Sequence, residues 1–410
     1  MDGLPRMARL TLAALMAVLS ACTTLTRLGA VPSELQDEAR PDGIPDARFY
    51  PQQLADSAAR LQVRIRWPVS GHEPQAPDSS NTDAGCDMLA VSAGGDRGAF
   101  AAGLLSGWSQ TSTRPRFKVV TGVSVGALIA PFAFLGPRYD HVLREVTLST
   151  GPESFFHRRS LISGLLGDGF ASSEPLERLL TTYVTGAVLR EIADEYRHGR
   201  DLYILTTDLD AGVPVIWNMG AIAASDSPDA LMLFRQVMRA SAAVPVAVAP
   251  VLIPVTAGSR HFQELHVDGS VTHQVFLDPF LLPQLQSSDV QASAPTCRAF
   301  IIINAQMDSS PSTTPRRTLR IGERSIRTLM QVEAFNDVAG IYAALQRQDI
   351  QFKLAYIDST FQVAHPHDFD TSYMRALFSY GQRLGSGTYP WRAAPPRAQP
   401  SNLSANVNPR

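Results

Sequence analysis

The chain has 410 residues, of which 45% are hydrophobic and 18% are charged, a composition typical of soluble globular proteins. This length is sufficient for one large domain or for two smaller ones. The formal net charge of −2 gives no overall electrostatic attraction to nucleic acid or to an acidic partner, so no nucleic-acid ligand is expected.

The first 21 residues have the pattern of a targeting segment. Arg6 and Arg9 provide positive charge, and Leu10–Leu19 is an apolar run too short to span a bilayer. The run leads into Leu19-Ser20-Ala21-Cys22, which resembles the lipobox of bacterial lipoproteins. That resemblance implies a lipid anchor on Cys22 and, because Thr23 rather than aspartate follows, sorting to the outer membrane on its periplasmic side. A plain secretory signal with an incidental cysteine is the alternative.

Four segments are predicted along the chain. Residues 1–21 are the signal peptide, 22–85 a tether and N-terminal extension, 86–390 the compact domain, and 391–410 a disordered tail rich in Pro, Ala and Asn. Within the extension, Leu61–Trp67 alternates apolar and polar residues, as a half-buried strand does.

Cys86 and Cys297 each lie three residues before an apolar run that predicts a strand. If the two runs are neighbours in a parallel sheet, the thiols lie at one level and a disulfide could form in an oxidising periplasm. The sequence leaves this open and slightly favours two separate buried thiols. Neither cysteine has metal-ligand spacing to a histidine, and neither a metal nor a cofactor is expected.

Within the compact domain, predicted strands and helices alternate. The predicted strands are Met88–Ser92, a strand from Phe117, Asp201–Leu209, Val213–Asn218, Glu264–Val267, Arg298–Asn304 and Gln351–Ile357. The predicted helices are Ala99–Trp108, one after Ser124, one starting at Leu176–Leu180, Ala230–Ser241, one within Arg320–Gln348, and Tyr373–Leu384. This alternation predicts an α/β layer architecture with a mostly parallel sheet.

A glycine-rich turn, Gly94-Gly95-Asp96-Arg97-Gly98, joins the first of these strands to the first helix. Successive glycines allow backbone N–H groups to converge on one point, an arrangement that binds anions. A dinucleotide fingerprint is disfavoured because Ala93 occupies its first glycine position, and a Walker loop because Gly-Lys-Ser/Thr is absent. An oxyanion hole fits better, since the intermediate of acyl transfer carries a localised negative oxygen.

A second turn, Gly122-Val123-Ser124-Val125-Gly126, joins an apolar strand to an apolar helix. A serine in this position has its hydroxyl exposed on a sharp bend, and the helix start favours an anion nearby. The two glycines leave room for a turn that a Cβ would crowd. Ser124 is therefore a candidate nucleophile; an ordinary serine on a glycine-rich turn is the alternative.

A serine nucleophile needs a base, and the sequence offers two kinds. Histidines after Ser124 keep a Ser-Asp-His triad open: His261, His266, His273, His365 and His367. Asp268 is better placed, because it ends an apolar strand and is followed by Gly269 and Ser270. Catalytic groups gather at the carboxyl ends of strands in parallel sheets.

Other polar groups receive simpler interpretations. Asp208 and Asp210 are predicted to form a turn, and His365-Pro366-His367 a surface loop. An arginine cluster is interpreted as the solvated face of a helix rather than a phosphate site: Arg316, Arg317, Arg320, Arg324 and Arg327. The segment Ser149–Gly169 is either a lid or pocket wall, or an ordinary surface loop.

The three motifs together resemble the patatin-like phospholipase family. The matching residues are Gly94–Gly98, Gly122–Gly126 and Asp268-Gly269-Ser270, in the family's order and spacing, and two softer stretches, Thr207–Gly212 and Arg239–Pro245, agree as well. The resemblance covers about residues 86–390. It implies a patatin-like three-layer α/β/α sandwich with a mostly parallel central sheet.

The resemblance also implies acyl-ester hydrolysis by a Ser124–Asp268 dyad. Ser124 would attack the ester carbonyl, and Asp268 would take its proton and return one to the leaving alcohol. Backbone N–H groups around Gly94–Gly98 would hold the oxyanion, Arg97 would help to fix that turn, and water would release the acyl group. The expected substrate is a phospholipid or another acyl ester of the membrane that the lipidated N-terminus reaches.

Two alternatives to this function stay open. One is a thioesterase or small-ester esterase on the same site. The other is a catalytically silent lipid-binding envelope lipoprotein, which is motivated by departures from the family pattern: Ala93 replaces a glycine of the oxyanion turn, and Ser270 replaces glycine or alanine.

Overall fold

The computed structural model describes residues 27–44, 46–51, 86–149, 157–158, 171–278, 297–307, 313–387, 389 and 391–396. The predicted signal peptide, Cys22, the predicted strand at Leu61–Trp67 and most of the predicted lid at 149–169 lie outside the described residues. Among the helices in the described part of the chain, none combines the length and apolar character needed to cross a bilayer.

The described elements alternate as predicted. The strands are β1 (Arg48–Phe49), β2 (Met88–Val91), β3 (Val119–Val123), β4 (His157–Arg158), β5 (Ala171–Ser172), β6 (Asp201–Asp208), β7 (Val213–Asn218), β8 (Val251–Ala257), β9 (Arg260–Asp268), β10 (Arg298–Ile303) and β11 (Gln351–Tyr356). The α-helices are α1 (Ala99–Gln110), α2 (Val125–Leu135), α3 (Asp140–Ser149), α4 (Glu174–Tyr183), α5 (Gly186–Arg197), α6 (Met219–Ala224), α7 (Ala230–Ser241), α8 (Thr318–Arg347) and α9 (Thr371–Ser386). Short 3-10 segments occupy Ser33–Leu35, Gly95–Gly98, Pro137–Tyr139 and Gly269–Val271. The strands and helices predicted for the compact domain are confirmed, with shifted ends. Several described elements were not predicted: β1, β4, β5, β8, α3, α5 and α6.

The central sheet is mostly parallel, as predicted. Its strand order is β1-β7-β6-β3-β2-β10-β11, and β6, β3, β2, β10 and β11 run parallel to one another. β7 is antiparallel to β6, and β1 is antiparallel to β7. The β8–β9 hairpin joins the sheet where β9 pairs antiparallel with the end of β6.

Helices cover both faces of the sheet, which gives the predicted three-layer sandwich. The inner strands are buried on both faces, and their continuous apolar runs suit that environment. Leu89, Val120 and Ile204 face a core that includes side chains of α1, α2, α7 and α9. On the other face, Ala90 and Ile301 belong to the core cluster that α8 completes with Val338, Ile341 and Leu345.

The segment expected to be a tether is folded where it is described. β1 pairs with β7, Arg40 forms a bridge with Thr256, and Val31 and Ala39 join a small core with Phe262. This corrects the prediction for residues 27–51. The segment contains few apolar side chains, but most of them are buried, and Arg27 and Arg48 pair with acidic residues more than 180 positions away.

Cys86 and Cys297 form a disulfide with a Cα–Cα distance of 4.9 Å. The interpretation as two separate thiols is therefore wrong. β2 and β10 pair in parallel with Met88 opposite Ala299, so the two cysteines, each just before its strand, meet at one level.

The C-terminal boundary also needs correction. Trp391 packs against Trp108 and Phe300, with ring centroids 5.0 Å from each, and Arg392 bridges to Leu354 of β11. Residues 391–396 therefore belong to the folded domain rather than to the tail predicted from 391 onwards.

Candidate active site

Ser124 lies on a strained turn between β3 and α2. Its φ of 55° and ψ of −121° place it in a conformation that L-residues rarely adopt. A Cβ on Gly122 would lie 2.4 Å from Gly126 O, and a Cβ on Gly126 would lie 2.1 Å from Val91 O. Both glycines are therefore required sterically, and the turn lifts the serine hydroxyl off the end of the sheet.

The register of β6 brings Ser124 and Asp268 together. Val123, the last residue of β3, pairs with Leu205, and Asp268, the last residue of β9, pairs with the adjacent Thr206. β3, which is parallel to β6, and β9, which is antiparallel to β6, therefore end at adjacent residues of β6. As a result, Ser124 Oγ donates a hydrogen bond to Asp268 Oδ2 over 2.7 Å.

Asp268 is fully buried, and it is held by backbone contacts. Its N–H donates to Ala243 O at 3.0 Å, and its Oδ1 accepts from the backbone N–H of Ser270 at 2.8 Å. Burial raises the pKa of Asp268 to about 6, while hydrogen bonds from Ser124 and Ser270 oppose that rise. No cationic side chain of the described residues pairs with this carboxylate. Asp268 is therefore a stronger base than an ordinary aspartate.

Ser241 fixes the backbone of the nucleophile, a role that the sequence did not reveal. Its Oγ accepts from the N–H of Ser124 at 2.9 Å and donates to Leu205 O at 2.7 Å. Ser241 ends α7 within the soft stretch Arg239–Pro245. The sequence signal that could have predicted this role is a small hydroxyl residue at the end of the amphipathic helix α7.

The glycine-rich turn lies against the nucleophile turn. Gly94 and Gly95 have φ of 157° and 59°, and a Cβ on Gly94 would lie 2.5 Å from Asn304 Cβ. A Cβ on Gly98 would lie 2.3 Å from a methyl group of Val125, the residue after Ser124. Within the described part of the chain, no acceptor meets the N–H groups of Gly94 and Gly95. These two donors remain available to an anion.

The departure at Ala93 costs no backbone strain. The φ angle of Ala93 is not positive, so its Cβ is tolerated. The N–H of Ala93 donates a hydrogen bond to Gln274 O at 2.8 Å. Arg97 Nε donates to Gly94 O at 3.3 Å, in keeping with the role expected for it in fixing the turn.

Residues 89–281 match the family model described as patatin-like phospholipase. This part of the chain is therefore a patatin-like phospholipase domain, as the three motifs predicted. Members of this family are lipid acyl hydrolases, and the α/β/α fold expected from the resemblance is confirmed.

Two solved structures are also similar to this patatin-like chain. VipD from Legionella pneumophila is 11% identical with a TM-score of 0.30, and the match covers 73% of this chain and 66% of VipD. The type III effector protein ExoU is 13% identical with a TM-score of 0.28, and the match covers 74% of this chain and 53% of ExoU. The chain thus spans about two thirds and about half of these proteins. Comparison with curated proteins gave no match.

Asp96 of the glycine-rich turn is hydrogen-bonded to a distant loop. His365 Nε2 and the N–H of Phe369 each donate to Asp96 Oδ2 at 2.7 Å, and the His365 ring stacks on Tyr373 with centroids 4.1 Å apart. His365 and His367 lie in a surface loop, as interpreted from sequence, but His365 also contacts the turn. Its 269-residue separation from Asp96 left no local signal for this contact.

The other histidines considered as triad members are engaged elsewhere. His266 Nε2 lies 3.1 Å from Glu264 Oε2, His273 Nδ1 lies 2.9 Å from Asp337 Oδ1, and His261 Nδ1 lies 3.1 Å from Thr256 Oγ1. In the described chain, the side-chain hydroxyl of Ser124 is hydrogen-bonded to Asp268 directly. The geometry therefore favours a dyad over a triad.

Among the residues that the structure describes, two groups have enough ligand atoms within 4.8 Å of one another to hold a metal ion: Asp208, Glu264 and His266, and His273, Glu333 and Asp337. In the first group the buried guanidinium of Arg48 already pairs with Glu264. Asp208 Oδ1 accepts from the N–H groups of Asp210 and Ala211, which is the predicted turn role. In the second group, Asp337 Oδ2 accepts from the backbone of Gln274 and Val275. These contacts give structural roles to Asp208, Glu264 and Asp337.

Proposed function

We propose that this protein is a serine acyl hydrolase that cleaves acyl esters of membrane lipids with a Ser124–Asp268 dyad. The observation that carries the proposal is the 2.7 Å hydrogen bond from Ser124 Oγ to Asp268 Oδ2. That distance lies within the range required of a nucleophile and its general base. Membership of a family of lipid acyl hydrolases supports the reaction class.

In the proposed reaction, Ser124 Oγ forms a bond to the ester carbonyl carbon while its proton moves to Asp268 Oδ2. The negative oxygen of the tetrahedral intermediate accepts hydrogen bonds from the N–H groups of Gly94 and Gly95, next to the positive end of α2. The carbon–oxygen bond then breaks, and the leaving alcohol takes the proton from Asp268. Water attacks the acyl-enzyme, gives a proton to Asp268, and the fatty acid leaves as Ser124 regains its proton.

Apolar side chains near the dyad support a substrate with an acyl chain. Val244 follows Ala243, whose carbonyl accepts from the N–H of Asp268, and Val271 lies three residues after Asp268. Val244, Val246 and Val271 are all exposed. Exposed apolar groups beside a reactive serine suit a lipid better than a polar ester.

We also propose that the protein is anchored in the bacterial envelope by a lipid on Cys22, facing the periplasm from the outer membrane. The disulfide between Cys86 and Cys297 supports an oxidising compartment. A Cys22→Ser variant is expected to incorporate no labelled palmitate while keeping its hydrolase activity. Labelling of the variant as strong as that of wild type would contradict a lipid anchor on Cys22.

The test of the hydrolase compares wild type with Ser124→Ala on phospholipid vesicles, acyl-CoA and nitrophenyl esters. Loss of the nucleophile is expected to lower hydrolysis by at least about 10³-fold. Ser386→Ala, at the exposed end of α9, is the control and should behave as wild type. A fluorophosphonate probe should label wild type but not Ser124→Ala.

The substrate series separates the alternatives. Faster turnover of acyl-CoA or of the nitrophenyl ester than of vesicles would favour a thioesterase or small-ester esterase. Equal hydrolysis by wild type and Ser124→Ala would contradict the proposal. If wild type neither hydrolysed these substrates nor reacted with the probe, the silent lipid-binding lipoprotein would be favoured.

A further inference from the structure

Helix α8 is longer than the sheet on which it packs. Its 30 residues span about 45 Å, whereas the six residues of β11 span about 20 Å. The side chains that pack on the sheet, Val338, Ile341 and Leu345, lie in its C-terminal half. The described side chains of its N-terminal half are nearly all exposed. About half of α8 therefore extends beyond the sheet.

The exposed half extends on the active-site side. α8 connects the parallel strands β10 and β11, so it returns antiparallel to them, and its N-terminal end lies beyond their carboxyl ends. Ser124 follows the carboxyl end of β3 in the same parallel set. Asp337, which follows the exposed half in the helix, accepts hydrogen bonds from the backbone of Gln274 and Val275, a few residues after Asp268. The exposed half of α8 therefore extends from the edge of the sheet at which Ser124 lies, which we name the catalytic edge.

The exposed half of α8 has two different faces. Arg320, Arg324 and Arg327 follow the i, i+4, i+7 spacing of one helix face, and Arg316 and Arg317 precede the helix. Large apolar side chains occupy the remaining circumference and are strongly exposed: Ile321 (49%), Ile326 (60%), Leu329 (70%) and Val332 (52%). Residues 316–332, which we name the arginine–isoleucine segment, contain five arginines and one glutamate.

A solvated charged face, as interpreted from sequence, accounts for the arginines but not for the apolar side chains. Several large apolar groups exposed along one helix mark an interaction surface. Arginines on one face and bulky apolar residues on the other are characteristic of helices that lie in the membrane interface. The excess positive charge favours binding to a negatively charged surface. The apolar side chains favour a surface into which they can insert, such as the interface of a bilayer.

We infer that the arginine–isoleucine segment binds the surface of an anionic phospholipid bilayer and holds the catalytic edge beside it. The inference rests on the proposed function, because a bilayer would then supply the substrate. A lipid on Cys22 would keep the protein near the membrane, whereas α8 would determine which edge of the domain meets it. Each arginine near an anionic surface strengthens binding about fivefold.

The test measures cosedimentation of full-length protein with vesicles. Cys22→Ser removes any acyl anchor, and Ser124→Ala prevents hydrolysis during the assay. This background is expected to bind vesicles of equimolar phosphatidylcholine and phosphatidylglycerol and to bind phosphatidylcholine vesicles weakly. Arg320→Gln/Arg324→Gln/Arg327→Gln should weaken anionic binding about 100-fold, because the three losses multiply. Ile326→Ser/Leu329→Ser should also weaken it, since the apolar contact is lost.

The matched control removes three exposed arginines from other helices: Arg190→Gln/Arg197→Gln/Arg383→Gln. It changes net charge equally and should bind as the background does. Equal loss in the control would assign binding to overall charge and overturn the inference, as would unchanged binding of either α8 variant or equal binding to neutral vesicles. A dimer in light scattering that Ile326→Ser/Leu329→Ser dissociates would instead assign the apolar face to self-association.

Restoring Ser124 separates this inference from the proposed function. The α8 variants should hydrolyse a soluble short-chain ester as wild type does, while their hydrolysis of anionic vesicles falls with binding. If no substrate were hydrolysed by any version, the proposed function would fail and the binding result would still stand. If vesicle hydrolysis stayed at the wild-type rate in the α8 variants, the inference would fail and the hydrolase would stand.

Discussion

Two carboxylates on β9 differ in their pKa although both are fully buried. Glu264 accepts hydrogen bonds from His266 and Arg48, and Arg48 adds a full positive charge. Burial raises its pKa, but those partners outweigh burial and bring the pKa of Glu264 down to about 2. Asp268, four residues later, has no described cationic partner, and burial raises its pKa to about 6.

The difference shows that the counter-charge, rather than burial, decides what a buried carboxylate can do. Glu264 stays an anion and fastens β9 to the N-terminal extension through Arg48. The described hydrogen-bond donors to the Asp268 carboxylate are neutral, so Asp268 can accept a proton near neutral pH. One strand therefore carries a structural anion and, in the proposed function, a catalytic base.

The largest expected effect is on catalysis. Asp268→Asn keeps the shape of the side chain but removes the base, so hydrolysis of a soluble ester should fall by about 10²–10⁴-fold. The measurement is kcat/KM, with circular dichroism to show that the fold is kept. Glu264 lacks contact with Ser124, so Glu264→Gln should keep far more activity per folded molecule.

The double variant tests whether Ser124 and Asp268 act as one unit. Because the base works only through the nucleophile, Ser124→Ala/Asp268→Asn should be no slower than Ser124→Ala. Multiplicative losses would contradict the dyad.

The next effect is on stability. Glu264→Gln leaves the Arg48 guanidinium buried without its anion, which should lower the free energy of unfolding by about 3–5 kcal/mol. The loss should be complete above pH 4.5, the unfolded value, and should vanish as pH falls towards 2, where Glu264 becomes protonated in both states. Urea unfolding across this pH range provides the measurement.

Asp268→Asn is the matched control, and its effect on stability should have the opposite sign. Between pH 3.8 and about 6 the folded protein binds a proton at Asp268 that the unfolded chain has lost, so stability falls as pH rises through that window. Above pH 6 the ionised carboxylate costs about 3 kcal/mol, which asparagine would avoid. A loss of stability in Asp268→Asn would contradict the contrast between the two carboxylates.

Sequence reasoning singled out Asp268 but not the ion pair of Glu264. Ser124 and its turn are encoded locally, because the strand, the two glycines and the helix are contiguous. Asp268 was found because it ends an apolar strand and starts a motif. The ion pair between Arg48 and Glu264 spans 216 residues, and Arg48 lies in a polar segment with no apolar period, so no pattern linked them.

The same distinction explains the remaining differences in the fold. The elements of the parallel sheet have continuous apolar runs and were predicted closely. β8 was missed because Val251–Ala257 contains Pro254 and alternates between buried and exposed residues, as suits a strand outside the main sheet path. The spacing of Cys86 and Cys297 before their strands predicted that the two thiols lie at one level if the strands are neighbours. Whether they form a disulfide could be decided only once β2 was known to pair with β10.

A smaller effect is expected from pH on catalysis. In the proposed mechanism Asp268 must be unprotonated to accept the proton of Ser124, so kcat/KM should rise with pH through about 6 and then level off. Below that value it should fall about tenfold per pH unit. The profile needs a soluble ester, so that vesicle charge does not contribute. A midpoint near the unfolded value of 3.8 would show that burial does not tune the base.

The smallest effect concerns Asp96, a third buried carboxylate, which has an imidazole partner instead of a guanidinium. His365→Ala removes that donor but leaves the N–H of Phe369, so the glycine-rich turn, which would hold the oxyanion in the proposed mechanism, should loosen without unfolding. Since the turn would act in the transition state, kcat should fall up to about tenfold while KM stays unchanged. His365→Gln, which can still donate, should recover part of the rate.

His367→Ala is the control, because His367 lies on the same loop and faces Asp370 at 3.4 Å instead of Asp96. If loop stability alone mattered, both alanine variants would lower the melting temperature and neither would change kcat. A kcat loss confined to His365→Ala, with rescue by glutamine, would identify His365 as a positioning residue that acts through Asp96. The third carboxylate would then be neither base nor structural anion, but the link through which a distant loop holds the oxyanion donors in place.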